Sequence, residues 1–285
     1  MTEDEIILTH ILQCRPIDLV IKKPALTIAQ QKQFDDFRRR RQSGEPLQYI
    51  LGTCNFMGLE LSVNPSVLVP RPETEQLVDE AIRHSRESGN PEMQILDLGT
   101  GSGNIAIALA KFVPQSQIVA VDISAQALEV AKINARKHKV EDRIEFIQKD
   151  LNEYLVSVTP ECFSRGSSSS VSGFPIETFG NDKFDLIISN PPYIPTSQLS
   201  RLPRDVQQEP AAALDGGEDG LNFHQIIIQY TTHLLRTGAC LMMEFGDGQA
   251  EAIKKLVEAQ KAFANIEIIK DLSGRDRIIS VKTLG

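Results

Sequence analysis

Four consecutive residues, Asn190-Pro191-Pro192-Tyr193, carry the most specific chemistry in the sequence. An amide or aryl amino nitrogen has a delocalised lone pair and is a poor nucleophile. Two acceptors gripping its N–H groups would turn that lone pair towards an electrophile. The side-chain oxygen of Asn190 is one such acceptor, and the backbone carbonyl of Pro191 is the second. Proline fixes φ and has no N–H, so a Pro-Pro elbow is stiff and its carbonyl direction is preset. Tyr193 offers a flat face for a planar amide or base. Asn190, Pro191 and Tyr193 are therefore the candidate catalytic residues, and Asn190, Pro191, Pro192 and Tyr193 the candidate substrate-binding set. Rate would come from alignment and from acceptors placed before reaction. No general base is evident, and the proton is expected to leave to water. The bland alternative is a proline-rich turn that merely ends a strand.

A second constellation lies upstream. Asp97-Leu98-Gly99-Thr100-Gly101-Ser102-Gly103 sits at the end of an apolar strand and opens a helix, the place where open α/β sheets bind ligands. A dinucleotide fingerprint needs G-x-G-x-x-G, but here the third glycine comes one residue early and Asn104 takes its place. Asp122 ends Val119-Ala120-Val121-Asp122, about twenty residues further on, where a carboxylate can accept from both ribose hydroxyls. The candidate cofactor-binding residues are Gly99, Thr100, Gly101, Ser102, Gly103 and Asp122. After the third strand comes Lys149-Asp150-Leu151. Asp150 could accept from an adenine amino group with Leu151 covering the ring, or Asp150 could be an ordinary loop carboxylate.

The elements that must position these residues alternate. Strands are expected at 94–98, 118–121, 144–147, 184–189 and 239–245, with helices between them. Two closing strand-like runs, 266–270 and 277–282, flank Ser273-Gly274 and suggest one antiparallel strand. The pattern predicts an α/β fold with a mostly parallel sheet covered on both faces. Residues 1–45 read as helical, and Thr27–Arg41 closes on Arg38-Arg39-Arg40-Arg41, a solvated helix end favoured by the dipole or, alternatively, a contact for an acidic partner or RNA. Residues 47–69, including Tyr49-Ile50-Leu51-Gly52, read as an extended hairpin. The segment 156–183, with Ser167-Ser168-Ser169-Ser170, reads as a mobile surface insertion, with a lid as the sharper alternative.

Composition is that of an ordinary globular chain: 285 residues, 41% hydrophobic, 24% charged. The formal charge of -8 argues against a surface built to grip nucleic acid. The spacing of Cys14, Cys54, Cys162 and Cys240 suggests neither zinc nor disulfides. The histidines form no ligand motif, so no metal is expected. No apolar run is long enough to span a bilayer. The acidic start does not read as a secretory signal, and a cytoplasmic location is expected.

The early third glycine resembles the first motif of S-adenosylmethionine methyltransferases. The N-P-P-Y run resembles the motif of methyltransferases that act on planar nitrogen. Over nearly the whole chain the sequence resembles bacterial peptide chain release factor glutamine N5-methyltransferases. The matching pieces are Gly44-Glu45-Pro46-Leu47-Gln48-Tyr49-Ile50, Val69-Pro70-Arg71-Pro72-Glu73-Thr74-Glu75 and Asp97 through Gly103. They continue with Ser189 through Ile194, Glu209-Pro210-Ala211-Ala212-Ala213-Leu214, Gly216-Gly217-Glu218-Asp219-Gly220-Leu221 and Met243-Glu244-Phe245-Gly246. The P-R-P-E-T-E block is the most specific of these.

That resemblance implies a Rossmann-like, mostly parallel seven-stranded sheet and a small N-terminal helical domain that helps hold the substrate. It implies S-adenosyl-L-methionine as cofactor, S-adenosyl-L-homocysteine as product, and a class-I release factor as substrate at the glutamine of its Gly-Gly-Gln loop. Carried over by position, Gly99 to Gly103, Asp122, Leu151 and Asn190 contact the cofactor, and Asn190 to Tyr193 contact the glutamine. Arg71, Glu73 and Thr74 shape the cleft floor or, alternatively, cap a helix start. The domains expected are 1–45 for docking, 46–69 as hairpin linker and 70–285 for methyl transfer. The helical region is shorter than the resemblance implies, as if its first helix or two were missing or mis-started. A monomer without membrane or stable nucleic-acid binding is expected. The rivals are transfer to a ribosomal-protein glutamine or to a nucleic-acid base, and a scaffold that binds cofactor without turnover.

Overall fold

The computed structural model describes residues 1–158 and 184–284. All of the expected insertion except residues 156–158 lies outside the described residues. Four helices come first: α1 (Glu3–Leu12), α2 (Pro16–Lys22), α3 (Ile28–Gln42) and α4 (Leu47–Leu51). Thr2 and Thr27 cap α1 and α3 through capping boxes, their hydroxyls accepting from the N–H groups of Glu5 and Gln30. The arginine run at the end of α3 is paired rather than merely solvated. Arg38 meets Asp4 at 3.3 Å, Arg40 meets Glu45 at 2.8 Å, and Arg41 meets both Glu3 at 2.9 Å and Asp205 at 3.3 Å.

Residues Leu47–Leu51 correct the extended reading of that stretch. A short apolar run looks alike in either conformation, and tertiary packing decides it here. Leu47, Tyr49 and Ile50 are buried. The Tyr49 hydroxyl donates to the Val67 carbonyl at 2.5 Å, and Gly52, at φ +74°, ends the turn. The hairpin is confined to β1 (Thr53–Phe56) and β2 (Leu59–Ser62). Met57 and Gly58 turn it with both φ values positive, as a two-residue hairpin loop of matching twist demands.

Helix α5 (Pro72–Ser88) leads into a seven-stranded sheet: β3 (Gln94–Leu98), β4 (Gln117–Asp122), β5 (Ile144–Gln148), β6 (Phe184–Ser189), β7 (Leu235–Glu244), β8 (Phe263–Lys270) and β9 (Asp276–Thr283). Their order is β5-β4-β3-β6-β7-β9-β8. Only β9 runs against its neighbours, pairing antiparallel with both β7 and β8. Helices α6 (Asn104–Phe112), α7 (Ala125–His138), α8 (Leu151–Val158), α9 (Asn222–Leu234) and α10 (Ala250–Ala259) complete the fold.

Strand alternation divides the core in two. Ile95, Ala120, Leu186, Ile188 and Met242 face one cluster with Leu77 and Val78 of α5 and Ile107 of α6. Leu96, Leu98, Val121, Ile187 and Met243 face the other with Ile227 of α9 and Ile253 of α10. Both faces are therefore covered, and the free edges of function are the carboxyl ends of the parallel strands. At that end β3 and β6 lie side by side, with Leu98 opposite Ser189.

Candidate active site

The strand register brings the glycine run and the proline elbow together. The Ser189 hydroxyl donates to the Leu98 carbonyl at 2.6 Å, so the last residues of β3 and β6 are tied immediately before the two loops diverge. The N–H groups of Gly99 and Thr100 donate to the Val121 carbonyl at 2.9 and 3.0 Å. The N–H of Gly101 donates to Asp122 Oδ2 at 2.8 Å, while Asp122 Oδ1 accepts from the Ser124 N–H at 2.9 Å. Asp122 is thus fixed beside the loop, and burial raises its carboxyl above the usual range against these backbone donors.

Asp97 is fully buried at the start of the run. Its Oδ2 accepts from the Thr100 hydroxyl at 2.6 Å, but Oδ1 has no well-formed hydrogen bond, and neither has the buried Ser102 hydroxyl. Burial pushes the Asp97 carboxyl up to about 7, opposed by the Thr100 hydroxyl and the Ala106 amide. Buried polar atoms are nearly always paired, so these orphans mark where a polar ligand belongs. The glycines divide their roles. A Cβ on Gly101 would meet open space, whereas one on Gly103 would lie 2.9 Å from Ile107 and 3.0 Å from Ala131. Gly103 therefore serves the packing of α6 on α7. Asp150 spends Oδ1 on the N–H groups of Asn152 and Glu153 at the start of α8, and Leu151 packs against the core.

The elbow is supported from behind. The Asn190 side-chain N–H2 donates to the Thr74 hydroxyl at 2.9 Å, and that hydroxyl donates to Glu244 Oε2 at 2.7 Å. The Tyr193 hydroxyl donates to Glu244 Oε1 at 3.1 Å. Glu244 is 1% exposed, and burial pushes its carboxyl up to about 7, opposed by the Thr74 and Tyr193 hydroxyls. The Tyr193 hydroxyl is likewise held well above its usual range by burial and then by Glu244. Backbone ties hold the rest of the elbow: the N–H of Ile194 donates to the Leu214 carbonyl at 3.0 Å, and Gln249 Nε2 donates to the Tyr193 carbonyl at 3.0 Å.

In front of the elbow is a cavity of about 210 Å³ walled by Leu68, Arg71, Pro191, Ile194, Val206 and Leu214 among others. A larger open hollow of about 390 Å³ lies between α3 and Arg204-Asp205, away from the chemistry-bearing loops. Arg71 donates to Glu209 Oε1 at 2.6 Å, and the Val69 N–H donates to Glu209 Oε2 at 2.9 Å. Glu209 thereby ties the loop that walls the cavity to the linker before α5. Of the P-R-P-E-T-E block, Arg71 lines the cavity and Thr74 braces Asn190. Glu73 is exposed in the first turn of α5, where an acid suits the helix dipole, and it does not line the cavity. Arg71 stands at the N-cap without a side-chain cap bond.

The sequence reading missed Glu244, Glu209 and Gln249 as supports. The matching segments that hold Glu209 and Glu244 were visible and Gln249 was seen only as a helix start, but their partners lie far off in the chain: 170 positions separate Thr74 from Glu244.

Comparison with known proteins adds a lineage to this geometry. Residues 89–275 match a family described as a methyltransferase domain, and residues 2–52 match the PrmC N-terminal domain. A release factor glutamine methyltransferase of Geobacter sulfurreducens is 40% identical, covering 84% of this chain and 74% of that protein. One from Rhodopirellula baltica is 37% identical, covering 98% and 88%. A solved methyltransferase from Pyrococcus furiosus aligns with TM-score 0.51 at 15% identity, covering 91% of this chain and all of that one. The catalytic domain of hMettl16, solved with an RNA hairpin, aligns with TM-score 0.57 at 13% identity, covering 90% and 81%. At such identities these two structures speak for the fold alone.

Proposed function

The chain belongs to the release factor glutamine methyltransferase family, and we propose that it moves a methyl group from S-adenosyl-L-methionine to the side-chain nitrogen, N5, of the glutamine in the Gly-Gly-Gln motif of class-I release factors. The observation that carries this reading is the seam between β3 and β6. It brings the glycine run and the proline elbow side by side at the carboxyl ends of the two strands, which supports a ribose-and-ammonium site next to a carboxamide grip.

The residues present fit the cofactor. Asp122 would accept from its ribose hydroxyls, and the glycine run leaves room for its approach. The unpaired Asp97 Oδ1 suits its cationic amino-acid end, and the unpaired Ser102 hydroxyl a second polar contact. Asp150 and Leu151 would border the adenine. When bound, S-adenosyl-L-methionine supplies an electrophilic methyl group on a sulfonium.

The rest falls to the elbow. Asn190 Oδ1 and the Pro191 carbonyl accept the two N–H bonds of the glutamine amide and turn its lone pair outward. The stiff prolines keep these acceptors in place, so little reorganisation is needed at the moment of transfer. Tyr193, pinned through its hydroxyl, lays its ring against the flat carboxamide. The mainly apolar cavity wall excludes water from the backbone that precedes the glutamine. Glu244 sits behind Thr74 and Tyr193 rather than in front of the elbow, so the amide proton leaves to water.

In this reading residues 1–45 dock the release factor, 46–69 link, and 70–285 catalyse, in a cytoplasmic monomer with no stable hold on nucleic acid. Among the described residues no helix is long and apolar enough to cross a membrane. The test is to supply methyl-labelled cofactor with purified release factors, ribosomal proteins and RNA, then map the label by mass spectrometry. Label on the Gly-Gly-Gln glutamine is the expected result; label confined to RNA or to a ribosomal protein would overturn it.

A further inference from the structure

We propose that Thr74 and Glu244 form a hydrogen-bond relay that decides which end of the Asn190 carboxamide faces the substrate, which makes both of them positioning residues. The inference rests on the function proposed above and adds two residues to it.

The logic is one of counting protons. A hydroxyl has one proton to donate. Thr74 gives its proton to Glu244 Oε2 at 2.7 Å, so towards Asn190, at 2.9 Å, it can only accept. The N–H2 of Asn190 must therefore point at Thr74, and Oδ1 must point away, towards the bound amide. With the carboxamide reversed, an N–H2 would confront the N–H2 of the glutamine, donor against donor, and the grip would fail.

The relay begins with the charge on Glu244. As a carboxylate it accepts from both Thr74 and Tyr193. Protonated on Oε2, it would donate to Thr74, whose own proton could then go to Asn190 Oδ1 and turn the amide round. Protonated on Oε1, it would displace the Tyr193 hydroxyl proton from its acceptor and free the ring.

A buried carboxylate answered by two hydroxyls and no paired cation among the described residues is a costly arrangement. A neutral glutamine could hold the same two side chains at less cost, but its N–H2 would reverse the direction of one of the two hydrogen bonds. The groups around Glu244 are few. Tyr193 reaches it from the elbow, and Thr74 and Glu73 from α5; the charge of Glu73 raises its carboxyl. Arg277 of β9 lowers it. His224 of α9 meets only its backbone carbonyl, at 2.9 Å. Burial outweighs the rest and brings the carboxyl up to about 7, so the relay would lose its proper direction as pH falls through neutrality.

Two readouts test this on the full-length enzyme. The first is steady-state methylation of a release factor by wild type, Thr74→Val, Thr74→Ser and Glu244→Gln, followed from about pH 5.5 to about pH 9. Thr74→Val should lose about tenfold to a hundredfold in kcat, with KM for the cofactor within about threefold. Thr74→Ser should recover most of the loss, and Glu244→Gln should lose the acid limb of the wild-type profile. The second uses no substrate: the side-chain ¹⁵N resonance of Asn190, identified by its absence in Asn190→Asp. It should shift with pH in wild type and stay flat in Glu244→Gln.

A Thr74→Val enzyme with wild-type kcat, or an Asn190 resonance that titrates identically with and without the Glu244 carboxylate, overturns the relay. If Thr74→Val does not fold, Thr74→Ser, Glu244→Gln and the resonance still decide. A wild type that labels no release factor while the Asn190 resonance behaves as expected would retire the substrate assignment and keep the relay.

Discussion

Gly220→Ala should cripple turnover from a position that touches no reacting group. Gly220 lies at φ +78°, and a Cβ there would sit 2.3 Å from the Tyr193 carbonyl oxygen and 2.6 Å from Gln249 Nε2. Ordinary contact begins near 3.4 Å, so the elbow must retreat by about 1 Å. Left-handed backbone costs an alanine about 1–2 kcal/mol. The hydrogen bond from Gln249 to the Tyr193 carbonyl, which stands between the two, is worth about 1 kcal/mol more. The sum is about 2–3 kcal/mol, which in a chain of this size lowers Tm by roughly 3–5 °C. A shift of about 1 Å in a positioned group can cost about a hundredfold in rate. The glycine run and Asp122 stand on the other side of the seam, so cofactor Kd should stay within about threefold. Thermal unfolding, cofactor titration and steady-state kinetics on one preparation measure all three. Turnover within about threefold of wild type would refute the claim that the close approach of Gly220 buttresses the elbow.

Asn190→Ala removes the acceptor itself and should lower kcat by about a hundredfold or more while cofactor affinity changes only a few-fold; wild-type turnover in single-turnover kinetics would contradict the grip. Asp97→Asn should act differently with and without cofactor. The folded-state carboxyl is raised to about 7 from 3.8, so its burial opposes folding increasingly as pH rises from about 4 through about 7, by at most about 4 kcal/mol. Without cofactor the variant should melt higher than wild type at about pH 8 and equally at about pH 4, yet bind cofactor about tenfold more weakly; equal melting at the higher pH would count against a buried, unsatisfied charge. Glu209→Gln breaks the pairing with the partly exposed Arg71 and should cost about 1–3 kcal/mol in urea unfolding, discounted for solvent at the arginine. It should raise KM for the release factor more than KM for the cofactor, and the reverse order would show that the loop does not serve the substrate.

The parts of this fold that could be read from sequence are those whose signals are local. Gln94–Leu98 and Phe184–Ser189 announce themselves as short apolar runs ending in Gly or Pro loops, so Asp97 to Gly103 and Asn190 to Tyr193 could be placed at strand ends. The antiparallel final strand was legible from the turn around Gly274. Leu47–Leu51 was not, because five apolar residues fit a strand as well as a buried helical turn, and only the packing of Tyr49 and Ile50 selects between them. Of α5 only the opening was evident, although its 17 residues later proved to carry Thr74. Glu244 was hidden for another reason. In sequence it is an acid at the end of an apolar strand, and nothing local says that Thr74 and Tyr193 will converge on its two oxygens.

The strand order also has a bearing on how the molecule could be taken apart. Everything assigned to the nucleoside lies between Asp97 and Leu151, and every acceptor for the incoming amide lies beyond Phe184. The two stretches share a sheet only along the single border of β3 with β6. A polypeptide cut between β5 and β6 would yield two contiguous fragments with a division of labour already built in. Mixing them should reconstitute activity, with the earlier fragment still supplying the docking helices and the Arg71 side of the cavity wall.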